Sequence, residues 1–490
     1  MTTDTAAPAK GAPRRLGLVL ATCCAGQFLV VLDASVMNVA LPSIRNALHF
    51  QTDSLQWIIN AYTIVFAGFL LLGGRLADLY GRRRVFLGGI AVFTLASLAG
   101  GLAWNPASLL VARGVQGLGA AIMAPATLTV LGTTFTDRDQ RAKAFGMWGA
   151  VAAGGGAVGA LIGGVITEWL SWRWILLVNV PVGAVLAAAV MYAVTESRKD
   201  DGDREADVRG SVAITVGLIS LVYAIVRSER EGWGSPQILG FLAVGVVLLA
   251  LFVLNEAKMD RHPLVPLSIF RNRSVTAANL VAFTSTAALW GTFFLFTLLL
   301  QLVLGYSPLE TGFAYLPLSL GILVAARGIA SLVPKLGPRP LLVTGLLLSA
   351  AGLAWLSRAS AGADFLTDLF GPTLVLGVGQ GIISASMTVA GTAEVGYREQ
   401  GLVSGLLNTS RQVGGALGLG ILSLIAAAHT SGAGGGAQQA SREALADGFG
   451  RAFLVSALFP LVGVLAALAV PRVRPEEKQD GKQDGQRAAG

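Results

Sequence analysis

The run Leu16–Leu41, LGLVLATCCAGQFLVVLDASVMNVAL, is apolar from end to end apart from one carboxylate, Asp33, and a few small or amide side chains. It follows Lys10, Arg14 and Arg15, the basic flank of a segment held on the inner side of a membrane. A signal peptide has an apolar region of roughly 7–15 residues, so this longer run reads as a retained first membrane span. The rest of the chain agrees. Apolar residues make up 54% of the 490 positions, glycine adds 62 more, and only 13% are charged, about half the share of soluble domains. A surface that poor in charge cannot be covered by water, so lipid is the main solvent. Cytosolic enzymes and nucleic-acid binders are set aside, and the net charge of +8 must be explained by where the cations sit.

A membrane helix takes about 20 mostly apolar residues. Charged, proline-rich and glycine-rich punctuation cuts the chain into fourteen such spans, near 16–41, 55–73, 84–104, 107–132, 143–166, 174–194, 210–227, 236–256, 275–304, 311–333, 340–357, 367–391, 401–428 and 451–471. With the N-terminus inside, 26 of the 36 Lys and Arg fall in inner segments, seven in outer ones and three (Arg113, Arg327 and Arg411) within spans. The positive-inside rule then places both termini in the cytoplasm. The expected plan is an all-α integral membrane protein. A tail over 1–15 and a six-helix bundle over 16–195 are followed by linkers with two extra helices over 196–274. A second six-helix bundle over 275–471 and a disordered tail over 472–490 complete it. Thr430–Gly450, rich in glycine and alanine, is expected to be an outer loop.

The two sets of six resemble each other. GRRRVFLGG from Gly81 is echoed by GPRPLLVTG from Gly337, Gln116-Gly117 by Gln380-Gly381, and Gly146, Gly155 and Gly159 by Gly405, Gly414 and Gly418, at offsets of 256 to 264. Matches in one order at nearly one offset point to an internal duplication, the mark of a transporter built from two similar bundles.

Charged groups inside the spans carry the candidate chemistry, because an acid or base in lipid is costly and is kept for a pathway, a proton relay or a counter-ion. Asp33 and Arg113 stand at nearly the same depth, so each is the other's candidate partner. Gln116 and Gly117 share a helix face with Arg113. In the fifth span Gly155, Gly159 and Gly163 recur every fourth residue, with Gly164 beside the last, and let another helix approach closely. GGRLADLYGRRR places Asp78 and Arg82 at i, i+4 on an inner connection with a tight turn at Gly81, which suits a latch between bundles. Asn408, Arg411 and Gln412 form a polar face near mid-depth, and with Asn38 and Gln116 they are candidates for the wall of a substrate cavity. Cys23 and Cys24 are adjacent and form no disulfide framework. The three histidines lie in loops or at a helix end and suggest no metal site, and no GxxxxGK[ST] loop for ATP is present.

At these residues the chain resembles the major facilitator superfamily, and within it the fourteen-helix drug:proton antiporters of the QacA/EmrB type, over about 16–471. Gly74 to Arg84, including Asp78, Gly81, Arg82 and Arg83, match the superfamily's loop motif, and Arg113 to Ala121 match its fourth-helix motif. Asp33 to Pro42 match the signature of the fourteen-helix group. Gly146, Gly155, Gly159, Gly163 and Gly164 match the antiporter motif of exporters, which usually has proline where this sequence has Ala160. The resemblance implies a major facilitator fold and multidrug efflux across the plasma membrane by alternating access, driven by the proton gradient with no cofactor. It assigns proton coupling to Asp33 and Arg113, and gating to Asp78 with Arg82. The implied partners are a small amphipathic substrate, protons and the lipid bilayer, without nucleic acid, and the working unit is a monomer. An exporter of an endogenous metabolite fits the same motifs. A membrane enzyme or sensor would need a nucleophile, a metal cluster or a soluble domain, none of which the sequence suggests. One intramembrane acid against several arginines leads us to expect neutral, zwitterionic, anionic or at most monocationic cargo.

If the loop motif gates the cycle, Asp78→Ala slows transport severalfold and leaves substrate affinity unchanged. Equilibrium binding beside transport rates checks this; affinity lost in proportion to rate would place Asp78 in the binding site instead.

Overall fold

The structure is a computed structural model that describes residues 12–51, 54–197, 208–258, 265, 267–329, 332–392, 395, 400–431 and 441–471. Its elements, in order, are α1 (Ala12–Leu48), α2 (Gln56–Tyr80), α3 (Arg82–Gly101), α4 (Pro106–Thr134), α5 (Arg138–Trp169), α6 (Arg173–Leu177), α7 (Asn179–Ala193), α8 (Val208–Glu231), α9 (Pro236–Lys258), α10 (Arg273–Leu298), α11 (Pro308–Ala314), α12 (Leu316–Ile329), α13 (Val333–Leu336), α14 (Pro338–Leu356), α15 (Phe370–Thr392), α16 (Gln400–Ser431), α17 (Arg442–Ser456) and α18 (Leu458–Leu468). Short π-helical turns at Leu299–Val303 and Phe365–Leu369 adjoin α10 and α15. Among the described residues, 13 helical segments are long and apolar enough to cross a membrane. The α5 helix, 32 residues long, is not among them and has a shorter apolar stretch, Val158–Trp169. The fold is all-α and membrane-spanning, and no strand occurs among the described residues.

Proline accounts for the broken spans. Pro181, Pro317 and Pro460 each lack an N–H and crowd the carbonyl four residues back. The helix is interrupted just upstream of each, at Val178, Tyr315 and Ala457 respectively. The α5 helix has Ala160 in place of the family's proline and runs without a break.

The internal repeat recurs in three dimensions. An added Cβ at Gly117 would collide with the Tyr62 carbonyl oxygen of α2, and one at Gly381 with the Ile322 carbonyl oxygen of α12. The same close crossing therefore joins second to fourth span in each half. Gly155 and Gly159 pack on Val31 and Ser35 of α1, as Gly414 and Gly418 pack on Phe283 and Ala287 of α10. Gly81 and Gly337 both adopt positive φ, at 102° and 77°, in the equivalent turns between second and third spans.

The end of the molecule that carries Arg82 to Arg84 is termed inner below. At the outer end the two bundles close on each other. Val36, Val39 and Ile44 of α1 share one buried apolar cluster with Phe294 and Leu298 of α10 and Phe449 and Phe453 of α17. Gln301 Nε2 donates to the Val39 carbonyl at 2.9 Å. Gly164 abuts the Pro308 carbonyl, and Gly312 abuts that of Ala160, so the α5 stripe meets the other bundle as well as α1. Toward the inner end of α5, Gly146 and Gly149 have open space among the described residues where a Cβ would stand. The α8–α9 hairpin packs by α8 against α2 and α16, while α9 is only 11% buried within its membrane window and faces outward.

Several boundaries differ from the sequence reading. The α1 helix runs on through Pro42 to Leu48 because Leu41, Ile44 and Leu48 are buried in the outer core, which puts Arg45 in a helix turn and not in a loop. Residues 441–450, expected in an outer loop, begin α17 after Ser441, whose Oγ accepts the Ala444 N–H at 3.2 Å; polarity had disguised a capped helix start. Thr430 and Ser431 likewise end α16. Of the expected linker over 196–210, residues 208–210 already belong to α8, and 198–207 and the tail over 472–490 lie outside the described residues.

We predict that Gly117→Ala and Gly381→Ala each destabilise the fold by about 1–3 kcal/mol or more, since backbone must move to admit the methyl group. Gly240→Ala, with open space around it, stays neutral. Thermal unfolding of the three purified variants checks the contrast.

Candidate functional site

Asp33 and Arg113 meet. Arg113 Nη1 donates to Asp33 Oδ2 at 2.6 Å, with the side chains 0% and 1% exposed. Arg113 Nη1 also donates to Gln116 Oε1 at 2.7 Å, and Gln116 Nε2 donates to Asp33 Oδ1 at 2.7 Å. Asn179 Nδ2 reaches the same Oδ1 at 3.0 Å. Ser97 Oγ accepts from Gln116 Nε2 at 2.7 Å and from Asn179 Nδ2 at 3.3 Å. Arg113 Nε donates to the Ile58 carbonyl at 3.2 Å, and its guanidinium lies 4.5 Å from the Tyr62 ring centroid.

Local sequence explains the convergence. Asn105 and Ser108 cap α4 reciprocally ahead of Arg113, which places the arginine two turns inside the outer end. Gly117, one turn further on, lets α2 approach until the Ile58 carbonyl is within reach. Asn179 follows the break above Pro181. Five helices, α1 to α4 and α7, thereby contribute to one cluster inside the N-terminal bundle.

The structure moves Gln116 out of the cavity set and places Asn38 and the loop motif as follows. Gln116, placed with the cavity residues, is 0% exposed and belongs to the ion-pair cluster, because it shares Arg113's face and that face turns inward to Asp33. Asn38 stands five residues from Asp33 on another face of α1 and donates to its own helix at the Ala34 carbonyl, 3.1 Å away. The arginine run of the loop motif reaches partners inside its own bundle. Arg82 N–H donates to the Ser197 carbonyl at 3.0 Å and Arg82 Nη1 to Ser197 Oγ at 3.1 Å; Arg83 Nη2 donates to the Met191 carbonyl at 2.8 Å. The Glu196 carboxylate accepts the Arg83 and Arg84 N–H groups at 3.2 and 3.3 Å, so a negative charge sits on the N-terminus of α3, where the helix dipole favours it. A Cβ on Gly81 would lie 2.5 Å from Glu196 Oε1. Asp78 ends up in the last turns of α2, and its side chain is outside the described set.

Sequence reasoning did not single out Ser97, Asn179 or Glu196. A polar residue interrupting an apolar run was the available signal for the first two. Glu196 looked like part of a solvated linker, and only the return of α7 beside α3 brings it to the turn.

Of the remaining candidates, Arg411 is exposed in the middle of α16, Asn408 is half-buried and Gln412 is 9% exposed. Gln412 Oε1 has no hydrogen-bond partner among the described residues. These three sit in the C-terminal bundle, apart from the Asp33 cluster.

Residues 23–419 match the Major Facilitator Superfamily. A cephamycin export protein of Amycolatopsis lactamdurans is 41% identical over 93% of this chain and 92% of its own length. A puromycin resistance protein of Streptomyces alboniger is 42% identical, covering 94% and 90% respectively. A tetracenomycin C resistance and export protein of Streptomyces glaucescens is 32% identical over 86% and 78%. Among solved structures, a bacterial homologue of the human lysosomal transporter Spinster, in an inward-facing and unoccupied conformation, matches with a TM-score of 0.65 at 16% identity, over 95% of this chain and 100% of that one.

Removing one member of the buried pair leaves the other unpaired, a loss of about 3–5 kcal/mol. Arg113→Gln should therefore lower the unfolding temperature markedly, and adding Asp33→Asn should recover most of it. A double-mutant cycle of thermal unfolding measures the coupling; additive losses would mean that the pair is not formed.

Proposed function

We infer that this chain, which belongs to the Major Facilitator Superfamily, is a proton-coupled antiporter that exports small amphipathic compounds, antibiotics among them, by alternating access. The observation that carries the coupling is the Asp33 cluster. Both carboxylate oxygens are occupied, Oδ2 by Arg113 and Oδ1 by Gln116 and Asn179, so a proton arriving at Asp33 competes directly with the guanidinium. Protonation releases Arg113, and return of Arg113 expels the proton. Because the cluster draws on five helices, the exchange biases how those helices pack, which is the differential interaction a two-state carrier requires.

Export is supported by what the relatives are named for, together with the two-bundle fold. The outer end is sealed by apolar packing of both bundles, while Gly146 and Gly149 of α5 are free toward the inner end. We read this as the inward-open member of the cycle, ready to take cargo from the cytoplasm or the inner leaflet. The excess of Lys and Arg on the inner segments supports a cytoplasmic-membrane orientation with both ends inside. Glu196 and Gly81 hold the inner ends of α3 and α7 together, so the N-terminal bundle can rock as one body.

Everted vesicles loaded with a proton gradient and offered a panel of antibiotics test the function, since substrate-induced collapse of the gradient reports antiport. Asp33→Asn keeps the shape of the side chain and removes the exchangeable proton. We expect it to insert with a lowered unfolding temperature, as for any loss of one member of the pair, and substrate-driven proton release from the folded protein to fall to background. Undiminished proton release from the folded variant would remove Asp33 from the coupling.

A further inference from the structure

With about 100° of turn per residue, the contacts of α16 divide its circumference. Gly414 and Gly418 lie on α10, with Gly415 under the Trp290 ring, and Gly405 meets Leu71 of α2. Ala416 packs with Ile64 of α2 and with the α8 residues Leu218 and Val222. Beyond Gly418, on the side away from α8, the sector that runs round to Gly405 holds Arg411 and Ser404 on one side of the Trp290-covered Gly415 and Asn408 and Gln412 on the other. Because α10 and α2 belong to different bundles and α8–α9 lie outside them, that sector looks into the space between the bundles. Further out on the same face, Leu419, Leu422 and Ala426 join the apolar cluster that seals the outer end.

From Leu402 to Ala427 every residue of α16 is buried or half-buried except Arg411, which is exposed although it stands three turns inside the helix. A side chain both deep and open lines an internal cavity. Among the described residues Arg411 has no hydrogen-bond or ion-pair partner, and neither has the side chain of the buried Gln412 next to it. Asp33 cannot serve, since its carboxylate is enclosed in the other bundle with three N–H donors. A guanidinium without a counter-charge at this depth is expensive, and its planar fork is shaped for a carboxylate.

We propose that Arg411, assisted by Gln412 and Asn408, is the cargo-anchoring group of the central cavity, and that it binds the carboxylate of an amphiphilic anion or zwitterion whose apolar part lies toward Trp290. The assignment rests on reading that cavity as a transport path, and it narrows the cargo to compounds with an anionic head. Asn408 and Gln412 add polar groups on the same wall, so a methyl ester, which keeps the shape and loses the charge, forfeits the strongest contact.

The test is direct binding of 11-(dansylamino)undecanoic acid and its methyl ester to the purified full chain in nanodiscs, followed by dansyl fluorescence. The acid should bind about tenfold more tightly than the ester, the scale of one charge-assisted hydrogen-bonded contact. Arg411→Gln should erase that preference by weakening the acid about tenfold and leaving the ester unchanged, and Arg411→Lys should keep part of it. No variant loses a described contact of Arg411, so thermal unfolding should stay as in the parent. Equal affinity for acid and ester in the parent, equal loss of both in Arg411→Gln, or no binding of either would overturn the proposal. Acid-selective binding without any proton-driven uptake into everted vesicles would uphold this site while refuting the antiport reading.

Discussion

A carboxylate and a guanidinium enclosed in a helix bundle within lipid must neutralise one another, because neither water nor headgroups can reach them. In this protein that constraint is met at 2.6 Å between Asp33 and Arg113, and the surrounding bundle is arranged to allow it. The α4 helix is capped so that Arg113 begins two turns inside. Gly117 brings α2 close enough for the Ile58 carbonyl to take the remaining Nε–H. The break above Pro181 presents Asn179 to the second carboxylate oxygen. Each of these features looks incidental alone, and each answers the same need to satisfy a buried charge.

The same packing logic separates two tasks in space. The N-terminal bundle keeps its acid inside, fully bonded and dry, whereas the C-terminal bundle turns an arginine outward into the space between the bundles. Internal duplication makes the contrast sharper: equivalent glycines set equivalent crossings in both halves, yet only the first half carries Asp33 and Arg113. If the Asp33 cluster takes the proton and Arg411 the cargo, as proposed, the two sites must be linked through the interface between the bundles. Here the outer interface is built from α1, α5, α10 and α11. Helix α1 bears Asp33 on one face and supports the glycine stripe of α5 on another, so a shift at the acid is felt where the bundles meet.

Much of the fold was legible in Leu16–Leu41 and the spans that follow it, because apolar length and basic flanks are one-dimensional consequences of the bilayer. The pairing of Asp33 with Arg113 was legible too, since equal depth and opposite charge leave few alternatives in lipid. Ser97 and Asn179 were not, as nothing local distinguishes a polar residue that completes a network from one that bonds its own helix, as Asn38 does. Gln116 was misplaced for the same reason: its face was known, but not which way that face turned. The start of α17 was hidden by polar residues that a membrane reading discards.

By itself the sequence determined an all-α, membrane-spanning chain, the twofold repeat and the identity of the buried charges, because each depends only on composition along the chain and on the energy of placing it in lipid. Tertiary structure alone decided which polar groups share a cluster, that Glu196 caps α3 within its own bundle, and that Arg411 is exposed mid-helix with no partner among the described residues. Those outcomes depend on the rotation and approach of helices far apart in sequence, set by glycine crossings too close to admit a Cβ that no residue pattern along one helix contains.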